Sequence, residues 1–203
     1  MPKNTRTLVL NVDYRPMGVI DWRRAMVLSF VNMENSQKGL KVVEYYKDDM
    51  IHSQKQSYQV PAVVLSPVYI KQRKKTVPFS RKNIFIRDQL TCQYCGKQCE
   101  PADLEYDHVV PRSKWNIKWG TPTNFTNIVS CCRPCNRLKA DRTLKECGFR
   151  LLREPKDPNP SNFVLGITPW HKNIPDQWLQ YLPPLYLAIH ERFSKKRKER
   201  CII

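Results

Sequence analysis

The sequence predicts an α+β protein of three parts: a small β-α-β-β unit over 1–70, a cysteine-knuckled core over 71–150, and a proline-rich arm ending in a helix over 151–203. Three observations carry this division. Short β-type segments and one amphipathic helical segment fill the first third. Two Cys-x-x-Cys knuckles, at 92–95 and 132–135, bracket the middle. Seven prolines (155, 158, 160, 169, 175, 183 and 184) crowd the last part.

In chain order, residues 7–11 (Thr-Leu-Val-Leu-Asn) read as a strand. Asp21 then caps a helix whose inward positions Trp22, Ala25, Met26, Ser29, Phe30 and Met33 follow the 3.6-residue period. Residues 40–46 and 59–65 read as two further strands. His52 lies in a polar stretch and reads as an exposed loop histidine. Ser80 opens a short helix that turns Ile84 and Phe85 inward, and Thr143 with Glu146 forms the capping box of a later one. The prolines forbid long helices before Pro184, so the arm is extended and wraps a core, with a terminal helix over about 185–195. Trp170 and Trp178 read as packing residues of that arm, and His171 and His190 as satisfied by local hydrogen bonds.

Of 203 residues, 35 are Lys or Arg and 18 are Asp or Glu, a formal net charge of +17. A chain 41% hydrophobic and 26% charged excludes collagen, coiled coil and wholesale disorder. So large a cationic excess calls for a polyanion, nucleic acid first. No apolar run reaches the roughly 18 residues of a spanning helix, which argues against a membrane. No signal-peptide core follows the N-terminus, so a reducing cytoplasm is expected. From Lys71 to Arg87 seven bases stand without an acid, among them Arg73, Lys74, Lys75, Arg81 and Lys82, and phosphate contact is their expected role. Arg192 and the bases from Lys195 to Arg200 read as a frayed tail adding non-specific affinity.

In a reducing compartment, paired short cysteine spacings point to metal rather than to disulfides. Each knuckle offers two thiolates at the reach of a tetrahedral zinc, so Cys92, Cys95, Cys132 and Cys135 are the expected structural site. Cys131 could stand in for Cys132, whose spacing to Cys135 better matches the first knuckle. Cys99, Cys147 and Cys201 read as non-ligands.

The chemistry lies between and around the knuckles. Asp107 and His108 follow a short strand, Leu104-Glu105-Tyr106, Asn127 precedes Ile128-Val129, and Asn136 directly follows Cys135. The ion that fixes Cys135 would also fix the helix carrying Asn136 and Lys139. Strand neighbours point to opposite faces, so Asp107 and His108 share a site only where the strand stops, as Pro111 suggests. A carboxylate and an amide oxygen suit Mg²⁺ or Mn²⁺, and a neutral imidazole can take a proton from water.

The run from Ser80 through Cys92-Gln93-Tyr94-Cys95-Gly96, Tyr106-Asp107-His108-Val109-Val110-Pro111-Arg112, Asn127-Ile128-Val129 and Cys132-Arg133-Pro134-Cys135-Asn136-Arg137-Leu138-Lys139 resembles the zinc-containing HNH endonucleases of bacteria and phages. The opening Leu8-Val9-Leu10-Asn11-Val12-Asp13-Tyr14-Arg15-Pro16 is similar to the start of a bacterial subgroup. The resemblance implies a ββα-metal finger acting on DNA in a bacterial host cell. It implies His108 as general base, Asp107 and Asn136 as holders of the divalent ion, and Asn127 as a brace. Arg112, Arg133, Arg137 and Lys139 would hold flanking phosphates. One such centre cuts one strand, leaving 5′-phosphate and 3′-hydroxyl ends; a homodimer is possible but not indicated, and double-strand cleavage would need a dimer or two visits. Two departures stand out: a longer loop, Lys114 to Thr123, and Phe125 where tryptophan is common. A zinc-framed nucleic-acid-binding accessory protein without cleavage and a nuclease acting on RNA remain the alternative readings.

Overall fold

The computed structural model describes residues 4, 6–34, 39–71, 76–164, 166–171 and 174–200, with backbone alone at 32–34 and 195–200. Arg73, Lys74, Lys75 and Cys201 lie outside the described residues, as do the side chains of Met33 and of the tail bases from Lys195 onward. The chain forms two compact units, residues 1–75 with 163–203 and residues 76–162. The expected third part is therefore divided: most of the arm and the terminal helix are built into the first unit.

The first unit holds strands β1 (Arg6–Leu10) and β2 (Pro16–Asp21), helix α1 (Trp22–Glu34), and strands β3 (Lys41–His52) and β4 (Ser57–Leu65). Its sheet runs β2-β1-β4-β3, with β1 parallel to β4 and both outer pairs antiparallel. The order is thus β-β-α-β-β, one strand more than expected. Strand β2 is an edge strand and Pro16 its first residue, where a missing N–H costs no ladder bond. Likewise β3 runs on past Tyr46 through polar residues, because it is the other edge. Its Asp49 is buried and accepts from both the backbone N–H and the side-chain amide of Asn4, each at 2.9 Å.

Asp21 caps α1 as expected, its Oδ1 accepting from the Arg23 N–H at 2.8 Å. Ala25 packs on Val9 and Val64, ringed by Met17, Ile20, Leu40 and Val42. Burying each Val or Leu side chain contributes about 1.5–3 kcal/mol. Helices α5 (Asp176–Leu179) and α6 (Pro184–Arg200) complete this unit, counting a four-residue helix of the second unit as α4. Trp178 is buried, and its indole N–H donates to the Ala62 carbonyl at 2.8 Å. His190 sits 3.3 Å from both the Pro169 carbonyl and Ser194 Oγ.

In the second unit, Ser80 caps α2 (Arg81–Arg87) by accepting from the Asn83 N–H, and Ile84, Phe85 and Ile86 are buried. Strands β5 (Leu104–His108) and β6 (Ile128–Cys132) form an antiparallel pair from Leu104 opposite Cys132 to His108 opposite Ile128. Helix α3 (Arg133–Lys139) follows without a break and packs on both strands, which gives the ββα order. Helix α4 (Leu144–Cys147) carries the Thr143–Glu146 capping box and ends on Gly148 at φ +71°. No described helix is long and apolar enough to cross a membrane.

Candidate active site and zinc centre

The first knuckle is a tight turn. The Gly96 N–H donates to the Cys92 carbonyl and the Cys92 N–H to the Lys97 carbonyl, each at 2.9 Å, with Gly96 at φ +78°, a conformation that favours glycine. The Gln93 N–H donates to the Ser130 carbonyl, tying the knuckle to β6. The second knuckle is the junction of β6 and α3. The four thiols of Cys92, Cys95, Cys132 and Cys135 lie within 4.8 Å of one another, with Cys95 and Cys132 Sγ at 3.9 Å. A tetrahedral zinc with bonds of about 2.3 Å spaces its sulfurs by roughly 3.8 Å, so the cluster fits a structural zinc.

Alternation along β6 picks out the fourth thiol of the cluster. Cys132 faces the cluster, while Cys131 turns away and its thiol donates to the Glu105 carbonyl at 3.7 Å. Cys99 and Cys147 bond the Lys97 and Leu144 carbonyls and take no part in the cluster. Burial, and then its hydrogen-bonded neighbours Cys132 and Cys95, push the Cys135 thiol well up, so cation binding and proton loss go together there.

From this anchored start, α3 meets β5 through two rungs. Glu105 and Asp107, two apart on the strand, share one face, and Asn136 and Lys139, three apart on the helix, share another. The Asn136 amide donates to Glu105 Oε2 at 2.6 Å. Lys139 Nζ lies 2.9 Å from Asp107 Oδ2 and donates to the His108 carbonyl at 2.7 Å. Asp107 Oδ2 also accepts from the Tyr94 hydroxyl at 2.5 Å, and burial with this bond drives the Tyr94 phenol far above its ordinary range. Both rungs leave an oxygen over. Among the described residues, neither Asp107 Oδ1 nor the side-chain Oδ1 of Asn136 has a protein hydrogen-bond partner.

At the strand end, His108 Nε2 lies 3.1 Å from Thr123 Oγ1 and accepts from Arg112 Nε at 3.4 Å, an arrangement that fits the tautomer protonated on Nδ1. Arg112 Nη2 also donates to Thr123 Oγ1 at 3.1 Å. Burial first, then the Arg112 guanidinium, lowers the His108 pKa below its usual value against the opposing pull of Asp107. Among the described residues, no hydrogen bond joins His108 to Asp107 or to Asn136. The buried Asn127 takes the Val110 N–H on Oδ1 at 2.9 Å and donates to the Val110 and Pro122 carbonyls at 3.1 and 3.0 Å.

Residues 92–142, which span both knuckles and every residue of these two rungs, match the family model HNH endonuclease. The chain carries an HNH endonuclease domain. Residues 7–74, within the first unit, match a second model, HNH endonuclease-associated, N-terminal domain. No curated protein and no solved structure matches the chain.

Around the HNH domain the expected phosphate-binding bases separate into two groups. Arg112, Arg133 and Arg137 are exposed, though Arg133 also donates to the Ala102 carbonyl. Arg81 donates to the Leu104 carbonyl at 2.5 Å, and Lys82 is half-buried. Lys139 must be reassigned. It is fully buried, so its amine cannot reach a phosphate; it neutralises Asp107 and holds the His108 carbonyl. Arg87, part of the basic run, is also largely internal. It pairs with Asp88 at 2.8 Å and donates to the Phe125 and Ile128 carbonyls, tying α2 to β6. Phe125 is buried, its ring 5.1 Å from Phe79, and so fills core space. Two residues of the site escaped the sequence reading, Glu105 and Tyr94. The two-residue strand period from Asp107 points to Glu105, whereas nothing local points to Tyr94.

Proposed function

We propose that the chain is a metal-dependent endonuclease that hydrolyses DNA phosphodiester bonds, one strand at a time. The observation that carries this reading is the pair of unengaged oxygens, Asp107 Oδ1 and Asn136 Oδ1, on two rungs anchored by the zinc cysteines beside His108. Both are hard donors suited to Mg²⁺ or Mn²⁺. An ion held by Asp107 and Asn136 would supply positive charge to the phosphate oxygens and to the departing 3′ oxygen.

The chain's own residues do the rest. His108 Nε2 takes the proton of the attacking water as Thr123 and Arg112 yield their places at that nitrogen, a contribution of roughly 10²–10⁴-fold. Lys139 and Tyr94 fix the Asp107 carboxylate through one oxygen and so aim the other. Asn127 holds the 109–110 and 122 backbone, and with it the flanks of the base. Arg112, Arg133 and Arg137, with Arg81 and Lys82 beside them, contact flanking phosphates and contribute register and affinity rather than sequence choice.

The test is supercoiled plasmid with Mg²⁺, beside matched DNA and RNA strands. Nicked circles with 5′-phosphate ends are expected from the wild-type chain, and none from His108→Ala, which still binds DNA. Binding without nicking by the wild-type chain would leave an accessory DNA-binding role instead. Cutting confined to RNA would overturn the DNA assignment, and cutting by His108→Ala would overturn the base.

A further inference from the structure

The loop between β5 and β6 carries apolar side chains where a soluble surface has no use for them. Ile117 is 89% exposed and Trp119 60% exposed, on a short 3-10 turn over Ile117–Trp119. The turn is not slack. Asn116 Oδ1 caps it by accepting from the Lys118 N–H at 3.0 Å, and the Trp115 indole N–H donates to the Gly120 carbonyl at 2.9 Å. The Trp115 ring supports the Trp119 ring edge to face at 5.2 Å. Further on, the Asn124 amide holds the Thr121 carbonyl at 2.7 Å, and Asn127 holds that of Pro122. The loop ends at Thr123, whose hydroxyl touches both His108 Nε2 and Arg112.

A braced apolar tip is thus tied to the proposed base. Thr123 lies four positions beyond Trp119, a contour of at most about 14 Å, or about four base steps along a strand. The charge around the tip favours one kind of occupant. Residues 109–123 contain three Lys or Arg and no acid: Lys118 lies on the turn itself, Arg112 touches Thr123 at the end of the loop, and Lys114 pairs with Glu146. An apolar protein groove would gain nothing from that field, whereas a polyanion with apolar base faces matches both features.

Resting on the nuclease reading above, we propose that Ile117 and Trp119 form a wedge that enters between stacked bases of duplex DNA within about four steps of the scissile phosphate. The favoured substrate is then a duplex that unstacks easily at that step, such as one with a pyrimidine–purine step there. Both residues are exposed, so their replacement leaves the fold intact.

The test uses the full chain and a short duplex containing a nick site mapped in plasmid, with 2-aminopurine placed at successive steps and Ca²⁺ replacing Mg²⁺ to keep it uncut. Fluorescence rises at one step near the nick with the wild-type chain and not with Ile117→Ser/Trp119→Ala. In Mg²⁺ that double variant nicks intact duplex about tenfold more slowly, and the defect shrinks to within about twofold on a duplex with a mismatch bubble at the same step, already unstacked. A flat 2-aminopurine signal while nicking proceeds overturns the wedge and leaves the nuclease standing. So does a double variant that nicks intact duplex at the wild-type rate, which would assign the tip to a protein partner. If no nick forms but fluorescence still rises in a Trp119-dependent way across a scanned duplex, the nuclease reading falls and the wedge stands. Absence of both signals overturns both.

Discussion

Lys139 is the residue whose surroundings most change its meaning. An ammonium with no solvent exposure is held by Asp107 Oδ2 at 2.9 Å and the His108 carbonyl at 2.7 Å. Removing one partner of a buried pair leaves the other charge uncompensated, at a cost of about 3–5 kcal/mol. Lys139→Met is therefore expected to lower urea stability by that order, whereas a phosphate-contacting lysine would leave stability untouched and weaken DNA binding instead. Glu105 acts one rung along. It takes the Asn136 amide hydrogen, and in the proposed site it would thereby fix which end of that amide meets the ion, as a positioning residue rather than a ligand. Glu105→Ala is expected to weaken Mn²⁺ binding about 10–100-fold, the usual effect of losing such a support. Glu105→Gln keeps an accepting oxygen and most of the affinity. Spin-resonance titration of Mn²⁺ reads both, and unchanged affinity in Glu105→Ala would remove Glu105 from the site.

At the scale of elements, α3 ends under strain. Its capping residue Ala140 lies at φ +48°, ψ −137°, a conformation that is comfortable for glycine alone. Ala140→Gly is expected to stabilise the chain by about 1 kcal/mol in urea unfolding without changing Mn²⁺ affinity. How much could be read beforehand also sorts by element. The knuckles, the β5 end and the start of α3 were legible because zinc spacing and the Asp107-His108 and Cys135-Asn136 adjacencies fix their chemistry locally. Strand β2 was not, since Pro16 and Gly18 signal a turn unless the strand is known to lie at an edge. The bases were half legible. Charge shows that Lys139 and Arg87 are cations, but only the fold shows that Asp107 and Asp88, with backbone carbonyls, already hold them.

For the molecule as a whole, the distribution of charge separates two ways of gripping DNA. Residues 76–162 hold 15 Lys or Arg against 9 Asp or Glu, so +11 of the +17 lies in the rest of the chain. If only the nuclease unit touched phosphate, its five candidates, Arg81, Lys82, Arg112, Arg133 and Arg137, would give a slope of log affinity against log salt of at most about −4.5. Engagement of the first unit as well, with its bases from Lys71 onward and its terminal run, makes the slope steeper than that. The steeper slope is expected, because so large a field outside the catalytic unit has no acidic counterpart to neutralise it. Titrating binding of a short duplex from 50 to 200 mM salt in Ca²⁺ measures it, a range over which six or more contacts cost about 10³-fold or more in affinity. A slope near −4 would confine DNA to the nuclease unit, and the first unit's bases would then be surface charge with no part in binding.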